Sequence, residues 1–245
     1  MKKIASASKL DSLLPGNGGK SEGIGDLLHE IEMFQGLPPD ELASVFDVAE
    51  VRTYPAGSLI FMPGQEHGEK IYALKQGLVR QYRLTPGGKR LITRLISPGS
   101  VFGVRVLLGR VIQEDFTEAV EDSTVYIMTG EQVLDLLKRR PELTLKFLEM
   151  VYKRLQLLEE RLVAAAYNPV RTRLAYFLLN NAELSTGVVS KLSHEDIGNI
   201  IGAVRQTITE TLGELKKQGV IEIEHKRIRI INRNKLERIL NGVES

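Results

Sequence analysis

The sequence predicts an α+β protein in which a β-roll, a long helix and a unit of short helices with a β-hairpin follow one another. Three observations predict this order. Residues 51–127 contain short apolar stretches separated by glycines, residues 141–166 carry an apolar stripe at helical spacing, and residues 193–231 read as two short helices followed by a hairpin. A chain of 245 residues is long enough for one or two such domains.

The composition is that of an ordinary globular protein, and it excludes several chemistries. Hydrophobic residues make up 42% and charged residues 26%, and the net charge of +2 indicates no particular partner. The absence of cysteine excludes disulfides, thiolate metal sites, cysteine-ligated iron–sulfur clusters and thiol redox sensing. No run of 18 apolar residues and no secretory signal is present, so we expect a cytoplasmic protein without a membrane partner.

Residues 1–25 are rich in glycine, serine, lysine and asparagine, and we predict that they form a flexible leader. Gly19-Lys20-Ser21 is similar to the end of a phosphate-binding loop, but Leu14 occupies the position of that loop's first glycine. No apolar strand precedes this segment, so a polar tail is the preferred interpretation.

Glycine-containing turns recur about every 8 to 12 residues between Val51 and Ile127, which is typical of an all-β roll or sandwich. The stretches between these turns that read as strands are residues 58–62, 71–74, 79–84 and 91–96. Thr85-Pro86-Gly87-Gly88 is predicted to be the hairpin turn between the last two strands.

A long helix is predicted from Pro141 to about Ala166, because apolar residues recur there at alternating spacings of three and four. The residues of this stripe are Leu148, Val151, Leu155, Leu158, Leu162 and Ala165. So narrow a stripe favours a partner helix, and we predict a homodimer; packing against the chain's own β-roll is the alternative. Asn168 is predicted to be the N-cap of the next helix and Pro169 its first residue.

A helix-turn-helix is predicted in the C-terminal unit. Ser193 and Asp196 predict a capped helix start, Gly202 predicts the end of that helix, and a second helix is predicted from about Val204 to Gln218. The hairpin expected over residues 221–231 is typical of the wing of a winged helix.

The second helix has an outer face with side chains that can read DNA bases. A helical wheel places the following residues on the core side: Val204, Ile208, Thr211, Leu212 and Leu215. On the outer side, arginine, glutamine and glutamate can bond to guanine, adenine and cytosine edges respectively. The predicted DNA-binding residues are Ser193, His194, Arg205, Gln206, Thr207, Thr209, Glu210 and Lys216, and Lys216, Lys217 and Arg171 are assigned to phosphates. A merely solvated helix face is the alternative.

These patterns together resemble the CRP/FNR family of dimeric bacterial transcription factors over nearly the whole chain after the leader. The resemblance implies a leader at 1–25, a cyclic-nucleotide-binding-like β-roll effector domain at 26–140, a dimerisation helix at 141–167 and a winged helix-turn-helix DNA-binding domain at 168–245. The implied function is an effector-responsive homodimer, expected to be an activator, that binds palindromic double-stranded DNA and contacts RNA polymerase. The net charge of residues 168–245 is +3, against −1 for the rest, which has the sign expected for a DNA partner.

The effector region departs from the cyclic-nucleotide binders of this family. Those proteins carry a Phe-Gly-Glu start and an Arg-Ser or Arg-Thr pair, whereas residues 102–105 here read Phe-Gly-Val-Arg and residues 114–117 read Glu-Asp-Phe-Thr. Both the acidic group for the ribose and the arginine for the phosphate are missing, so cAMP is not expected to bind in that mode.

The chain is more similar to the family's nitrogen-control regulators, which sense 2-oxoglutarate. They share the run over residues 100–104, the Leu107-Leu108 pair, and an arginine five residues before a glutamate on the long helix. The resemblance implies a 2-oxoglutarate-like dicarboxylate held between the roll and that helix. The effector-binding residues that it implies are Phe102, Gly103, Val104, Arg105, Arg154 and Glu159.

Three positions depart from these relatives. Asp115 stands where the nitrogen-control regulators have a second pocket arginine, so either Arg105 or Arg110 replaces it or the ligand differs. Gln206 and Glu210 stand where family members commonly have glutamate and arginine, so the usual half-sites are not expected. A salt bridge from Arg154 to Glu159 or Glu160 is the alternative to ligand binding, and Ala203-Val204 lacks the usual Ser or Thr cap.

Two other functions remain open. A haem-dependent gas sensor of the same family would use His67 or His29, and a metal-dependent β-roll enzyme with a DNA-binding domain would need clustered histidines and carboxylates. All four histidines, including His194 and His225, are far apart in sequence, and no His-Glu-x-x-His or Gly-x-Ser-x-Gly motif is present. We therefore predict that the protein is not an enzyme and has no catalytic residues, no metal site and no cofactor beyond its effector.

Overall fold

The computed structural model describes residues 31–34, 37–38, 49–64, 69–109, 114–183 and 186–242. The predicted leader, the Gly19-Lys20-Ser21 motif, His29, His67 and Arg110 lie outside these residues. Within the described part of the chain, no helix is long and apolar enough to cross a membrane.

Two antiparallel four-stranded sheets form the predicted β-roll. The strands of the first sheet, in spatial order, are β1 (Glu50–Tyr54), β8 (Ser123–Thr129), β3 (Lys70–Gln76) and β6 (Val101–Phe102). The strands of the second sheet are β2 (Leu59–Phe61), β7 (Phe116–Ala119), β4 (Val79–Leu84) and β5 (Arg90–Ile96). The four predicted strands correspond to β2, β3, β4 and β5, with ends that differ by no more than two residues.

The core of the roll lies between the two sheets, because alternate residues of each strand face inward. Tyr72 and Phe102 stack at its centre, with ring centroids 5.2 Å apart. The predicted hairpin turn is present, since the Gly88 amide donates to the Thr85 carbonyl at 2.8 Å and Gly88 has a φ of 75°. A left-handed backbone at Gly88 is the reason that the turn needs glycine there.

Two helices follow the roll. Helix α1 (Gly130–Arg139) is not among the predicted elements. It begins with a capping box between Thr129 and Gln132 and packs Val133 and Leu136 into the roll's second core cluster. Helix α2 (Pro141–Tyr167) is the predicted long helix and ends one residue later than expected. The β-roll is therefore extended by helical structure before the long helix begins.

The apolar stripe of α2 is not covered by its own chain. Leu143 is the one buried residue of this helix. The exposed fractions of Leu148, Val151, Leu155, Leu158 and Leu162 are 62%, 43%, 50%, 43% and 71%. The alternative in which this stripe packs against the chain's own β-roll is therefore contradicted.

The hinge after α2 differs from the prediction by one residue. Helix α3 is Val170–Asn181, so Pro169 is its N-cap, whereas Asn168 ends α2 and donates its amide hydrogen to the Ala164 carbonyl at 2.9 Å. Asn168 and Pro169 have extended ψ angles of 136° and 155°. Proline disfavours helical geometry in the residue before it, which separates the two helices here. The prediction that Asn168 caps α3 is therefore wrong.

The C-terminal unit is a winged helix-turn-helix. After α3 come β9 (Val188–Ser190), α4 (His194–Ile201), α5 (Arg205–Lys217), β10 (Ile221–Glu224), β11 (Arg227–Ile230) and α6 (Arg233–Leu240). The strands form an antiparallel sheet in the order β10-β11-β9. The buried cluster of this unit includes Leu174, Phe177, Ile197, Ile208, Leu212 and Leu236, and Tyr82 and Ile92 of the roll join it. The unit therefore packs onto β4 and β5 of its own chain.

Candidate nucleic-acid interface and effector region

The start of α4 and the turn after it have the geometry of a helix-turn-helix. The Ser193 amide donates to Asp196 Oδ2 at 3.0 Å and the Asp196 amide donates to Ser193 Oγ at 3.1 Å, which confirms the predicted cap. Helix α4 ends at Gly202, whose φ is 72°. A Cβ added at Gly198 would lie 2.5 Å from the Ala203 carbonyl oxygen, so only glycine fits there. Spacing along the sequence does not reveal this requirement.

Helix α5, the recognition helix, buries one face and exposes the other. Of the predicted core residues, Ile208, Thr211, Leu212 and Leu215 are buried. Val204 is 57% exposed, so its predicted place in the core is wrong. It is the N-cap, with an extended ψ of 149°, and the helical wheel therefore does not apply to it. As predicted, its side chain makes no capping hydrogen bond.

The predicted DNA-reading residues lie together on the outer face. Those that are exposed or half-buried there are His194, Arg205, Gln206, Thr207, Thr209, Glu210 and Lys216. Gln206 Nε2 donates to Glu210 Oε1 at 2.9 Å, one helical turn away. Ser193 differs from the others because its hydroxyl donates to Asp196 Oδ2 at 2.6 Å and so serves the helix cap.

His194 of α4 contacts the recognition helix. Its Nδ1 lies 2.9 Å from Thr209 Oγ1, and the Thr209 hydroxyl donates to the Arg205 carbonyl at 3.0 Å. Burial, and to a lesser extent the Arg205 cation, lowers the pKa of His194 below its ordinary value of 6.5. This shift favours the neutral imidazole, and the contact places the His194 ring beside Thr209 on the outer face of α5.

Further cations suited to phosphate contact lie on the wing. The exposed ones are Lys226, Arg227 and Arg229. The turn between β10 and β11 is tight, and His225 adopts a φ of 54° in it. Arg171, assigned above to phosphate contact, donates to Gln218 Oε1 at 2.7 Å and lies 3.8 Å from the Glu214 carboxylate. Through these two contacts, Arg171 links α3 to the C-terminal end of α5.

Residues 102–105 form a tight corner at the edge of the roll. Gly103 has a φ of 78°, and a Cβ added there would lie 3.0 Å from the Tyr72 ring and 3.2 Å from the Lys70 carbonyl oxygen. Phe102 is buried, whereas Val104 begins a short 3-10 helix, Val104–Leu108. The Phe102 side chain therefore packs into the core of the roll and is not exposed at the corner.

An ion-pair network stands beside this corner. Arg83 donates to Asp115 at 2.6 Å and to Glu114 at 2.8 Å, and Arg105 lies 2.7 Å from Glu114. The hydrogen bond from Arg105 is the main reason that the pKa of Glu114 is lowered. Arg83 and Arg105 therefore pair with Glu114 and Asp115, the two carboxylates that the phosphate of a cyclic nucleotide would meet.

Arg154 on α2 lies close to this network. Partial desolvation lowers the pKa of Arg154, the Asp115 carboxylate opposes that shift, and the Arg105 and Arg161 cations add to it. Among the residues that the structure describes, no carboxylate oxygen lies within 4.0 Å of its guanidinium. Arg154 is therefore a cation near the predicted effector region that has no carboxylate partner in the described part of the chain.

The two glutamates proposed as salt-bridge partners of Arg154 do not pair with it. Glu159 is exposed and lies five residues further on, about 140° around the helix. Glu160 accepts a hydrogen bond from the Tyr176 hydroxyl at 2.7 Å instead. The structure therefore does not bring Arg154 and Glu159 together as one site.

Arg80 connects the roll to the helix-turn-helix through a contact that no local pattern predicts. Its Nη2 donates to Glu118 Oε1 at 2.6 Å, and its Nη1 donates to Asp196 Oδ1 at 2.5 Å, across 116 positions in sequence. The side chains of this Arg80 triad (Arg80, Glu118, Asp196) are only 12%, 10% and 16% exposed. Asp196 thus uses one oxygen for Arg80 and the other for the cap at Ser193.

Comparisons with known proteins agree with this architecture. Residues 51–140 match the family model of the cyclic nucleotide-binding domain, and residues 172–239 match that of the Crp-like helix-turn-helix domain. The global nitrogen regulator of Nostoc sp. is 32% identical over 189 residues, which cover 74% of this chain and 84% of that protein. The cyclic AMP receptor protein of Thermus thermophilus is 28% identical over 211 residues, with coverages of 86% and 97%. The structure of a CRP/FNR-family transcriptional regulator from Thermus thermophilus has a TM-score of 0.65 at 25% identity, with coverages of 78% and 98%.

Proposed function

Because the chain belongs to the CRP/FNR family of transcription regulators, we propose that it acts as a homodimer that binds specific DNA sequences under the control of a small-molecule effector. The main support is the recognition helix, which buries its apolar side and exposes Arg205, Gln206 and Glu210 on the other. These three side-chain types match the hydrogen-bonding edges of bases in the major groove. The activator role and the contact with RNA polymerase stay predictions.

The exposed stripe of α2 supports the homodimer. Its residues repeat at the spacing of a two-stranded coiled coil, and their exposed fractions range from 43% to 71%. A second copy of the same helix would remove this apolar surface from water. Two recognition helices related by a two-fold axis would then read a palindrome whose half-sites lie about one helical turn apart.

For the effector, we favour a 2-oxoglutarate-like dicarboxylate between the roll and α2. Arg154 carries the positive charge that such a ligand needs, and a guanidinium binds a carboxylate through two parallel hydrogen bonds. A cyclic nucleotide fits less well, because its phosphate would meet Glu114 and Asp115, which already hold Arg83 and Arg105. A ligand that touches both the roll and α2 would shift the population between arrangements of the two recognition helices.

DNA binding is tested by selecting duplexes from a random pool at fixed salt and measuring their affinities by fluorescence anisotropy. We expect enrichment of two-fold symmetric sites that bind roughly 1,000-fold more tightly than random DNA. Arg205→Ala should weaken the selected site by about 1–3 kcal/mol and relax one base position, whereas Lys216→Ala should weaken all duplexes to a similar extent. Equal affinity of the wild-type protein for selected and random duplexes would contradict sequence-specific binding.

The effector proposal is tested by calorimetry with 2-oxoglutarate and with cAMP. We expect 2-oxoglutarate to bind more tightly, and Arg154→Ala to weaken it at least tenfold, because a charge-assisted hydrogen bond contributes about 1.5–3 kcal/mol. Lys153→Ala is the matched control, since Lys153 is the neighbouring cation and pairs with Glu149 at 3.3 Å. Unchanged 2-oxoglutarate binding to Arg154→Ala would rule out this pocket, and tighter binding of cAMP would rule out the dicarboxylate preference.

A further inference from the structure

The hydrogen bond between Gln206 and Glu210 joins two exposed side chains in the first two turns of the recognition helix. They are four residues apart on one face, and Gln206 Nε2 donates to Glu210 Oε1 at 2.9 Å. Among the described residues, no arginine or lysine nitrogen lies within 4.0 Å of the Glu210 carboxylate. Glu210 is therefore an acceptor on the reading face whose negative charge is not balanced by a neighbouring cation there.

The carboxylate of Glu210 determines which way the amide of Gln206 is turned. An ionised carboxylate accepts hydrogen bonds and cannot donate them, so the amide nitrogen of Gln206, and not its oxygen, has to face Glu210. One N–H of that nitrogen is used in this contact. The second N–H and the oxygen Oε1 remain available, and together they match the N7 acceptor and the N6 amino group of adenine.

The second oxygen of Glu210 also restricts the base that it faces. In the major groove, only the N6 amino group of adenine and the N4 amino group of cytosine donate hydrogen bonds. Guanine and thymine present acceptors at the corresponding positions, and a carboxylate placed against an acceptor loses its hydration without gaining a hydrogen bond. A base without an amino group is therefore rejected at this position.

We propose that Gln206 and Glu210 form one reading unit, which selects adenine opposite Gln206 and an amino-bearing base, cytosine or adenine, at the position opposite Glu210. In this unit Glu210 has two roles: it orients the Gln206 amide and it contacts a base directly. The inference rests on the proposed function, because it applies to a recognition helix that enters the major groove. It further defines the class of DNA site that this protein would bind.

The test measures base preference at every position of the half-site obtained by selection. Each base pair is replaced by the other three, and the Kd of the full-length protein is measured at constant salt. We expect two neighbouring positions at which the preferred bases, adenine and cytosine or adenine, are favoured by tenfold or more. Glu210→Gln should reduce both preferences to about threefold or less. The amide introduced at position 210 can donate as well as accept, so it no longer fixes the orientation of the Gln206 amide. Gln206→Ala should relax the adenine position alone.

Glu214→Gln is the matched control, because it removes the same charge one turn further along the same helix, where Glu214 lies 3.8 Å from Arg171. It should leave all base preferences unchanged. If Glu210→Gln also leaves them unchanged, the Gln206–Glu210 contact is only a pair on the helix surface and the inference is overturned. A preference of the wild-type protein for guanine or thymine at both positions would also overturn the inference. Failure of the wild-type protein to select any site would instead contradict the proposed function, and that result is seen before the variants are compared.

Discussion

Replacing Arg80 with alanine will lower the free energy of unfolding by about 3 kcal/mol or more. Glu118 and Asp196 would then face each other with 10% and 16% of their side chains exposed and without the cation that bonds to both. Breaking a buried ion pair by removing one partner typically costs about 3–5 kcal/mol, because the remaining charge is left unpaired. Arg90 lies 3.8 Å from Glu118 and compensates only in part. Urea unfolding followed by circular dichroism gives the change.

The matched control for this prediction is Arg52→Ala. Arg52 also lies on a strand of the roll and pairs with a carboxylate, but both side chains of the Arg52–Glu50 pair are about half exposed. Such surface pairs contribute about 0–1 kcal/mol, so this variant should unfold almost like the wild-type protein. Adding Glu118→Gln to Arg80→Ala should recover part of the lost stability, because one unpaired charge is removed. Equal losses of unfolding free energy in Arg80→Ala and Arg52→Ala would show that the Arg80 triad stabilises the protein no more than an exposed ion pair does.

Replacing Leu155 with glutamate will dissociate the proposed homodimer. Leu155 lies in the middle of the α2 stripe, and the substitution would place two carboxylates against each other at the two-fold axis. Loss of a buried leucine costs about 1.5–3 kcal/mol, and it occurs twice in each dimer. The dimer dissociation constant should therefore rise by roughly 100-fold or more, where each 1.4 kcal/mol corresponds to a factor of ten. Sedimentation equilibrium measures this change.

A second readout for Leu155→Glu is binding to the selected palindrome, which should weaken by a similar factor because a monomer reaches only one half-site. Gln156→Glu is the matched control: it adds the same charge at the adjacent position, outside the stripe. It should leave both the oligomeric state and the DNA affinity unchanged. A Leu155→Glu protein that stays dimeric would show that α2 does not form the interface.

Periodic patterns predict the order of the domains, the long helix and four of the eight strands of the roll. Strands such as β4 were predicted from apolar stretches bounded by turns, and α2 was predicted from the alternation of three- and four-residue spacings. Both patterns depend on residues within a few positions of one another. The capping box at Ser193 and Asp196 is equally local, which is why the start of α4 was predicted correctly.

The predictions failed where an element begins or ends. A helical wheel places Val204 in the core, but its extended backbone at the N-cap turns its side chain outward. The N-cap preference of asparagine predicts that Asn168 begins the following helix, but Asn168 is the C-cap of the preceding one. A residue at the boundary of a helix can adopt either helical or extended backbone geometry, and the residue type alone does not distinguish between the two.

The sequence alone determined the kind of protein, the order of its domains and the types of side chain on the outer face of α5, because each of these follows from short-range spacing. Only the tertiary structure decided which distant groups meet. The Arg80 triad joins positions 116 apart, and Arg83 meets Glu114 and Asp115 across more than 30 positions. A repeating pattern reports which face of an element is buried, but it carries no information about which other face will cover it. That choice depends on how the whole chain packs, and here it links the roll to the helix that begins the DNA-reading unit.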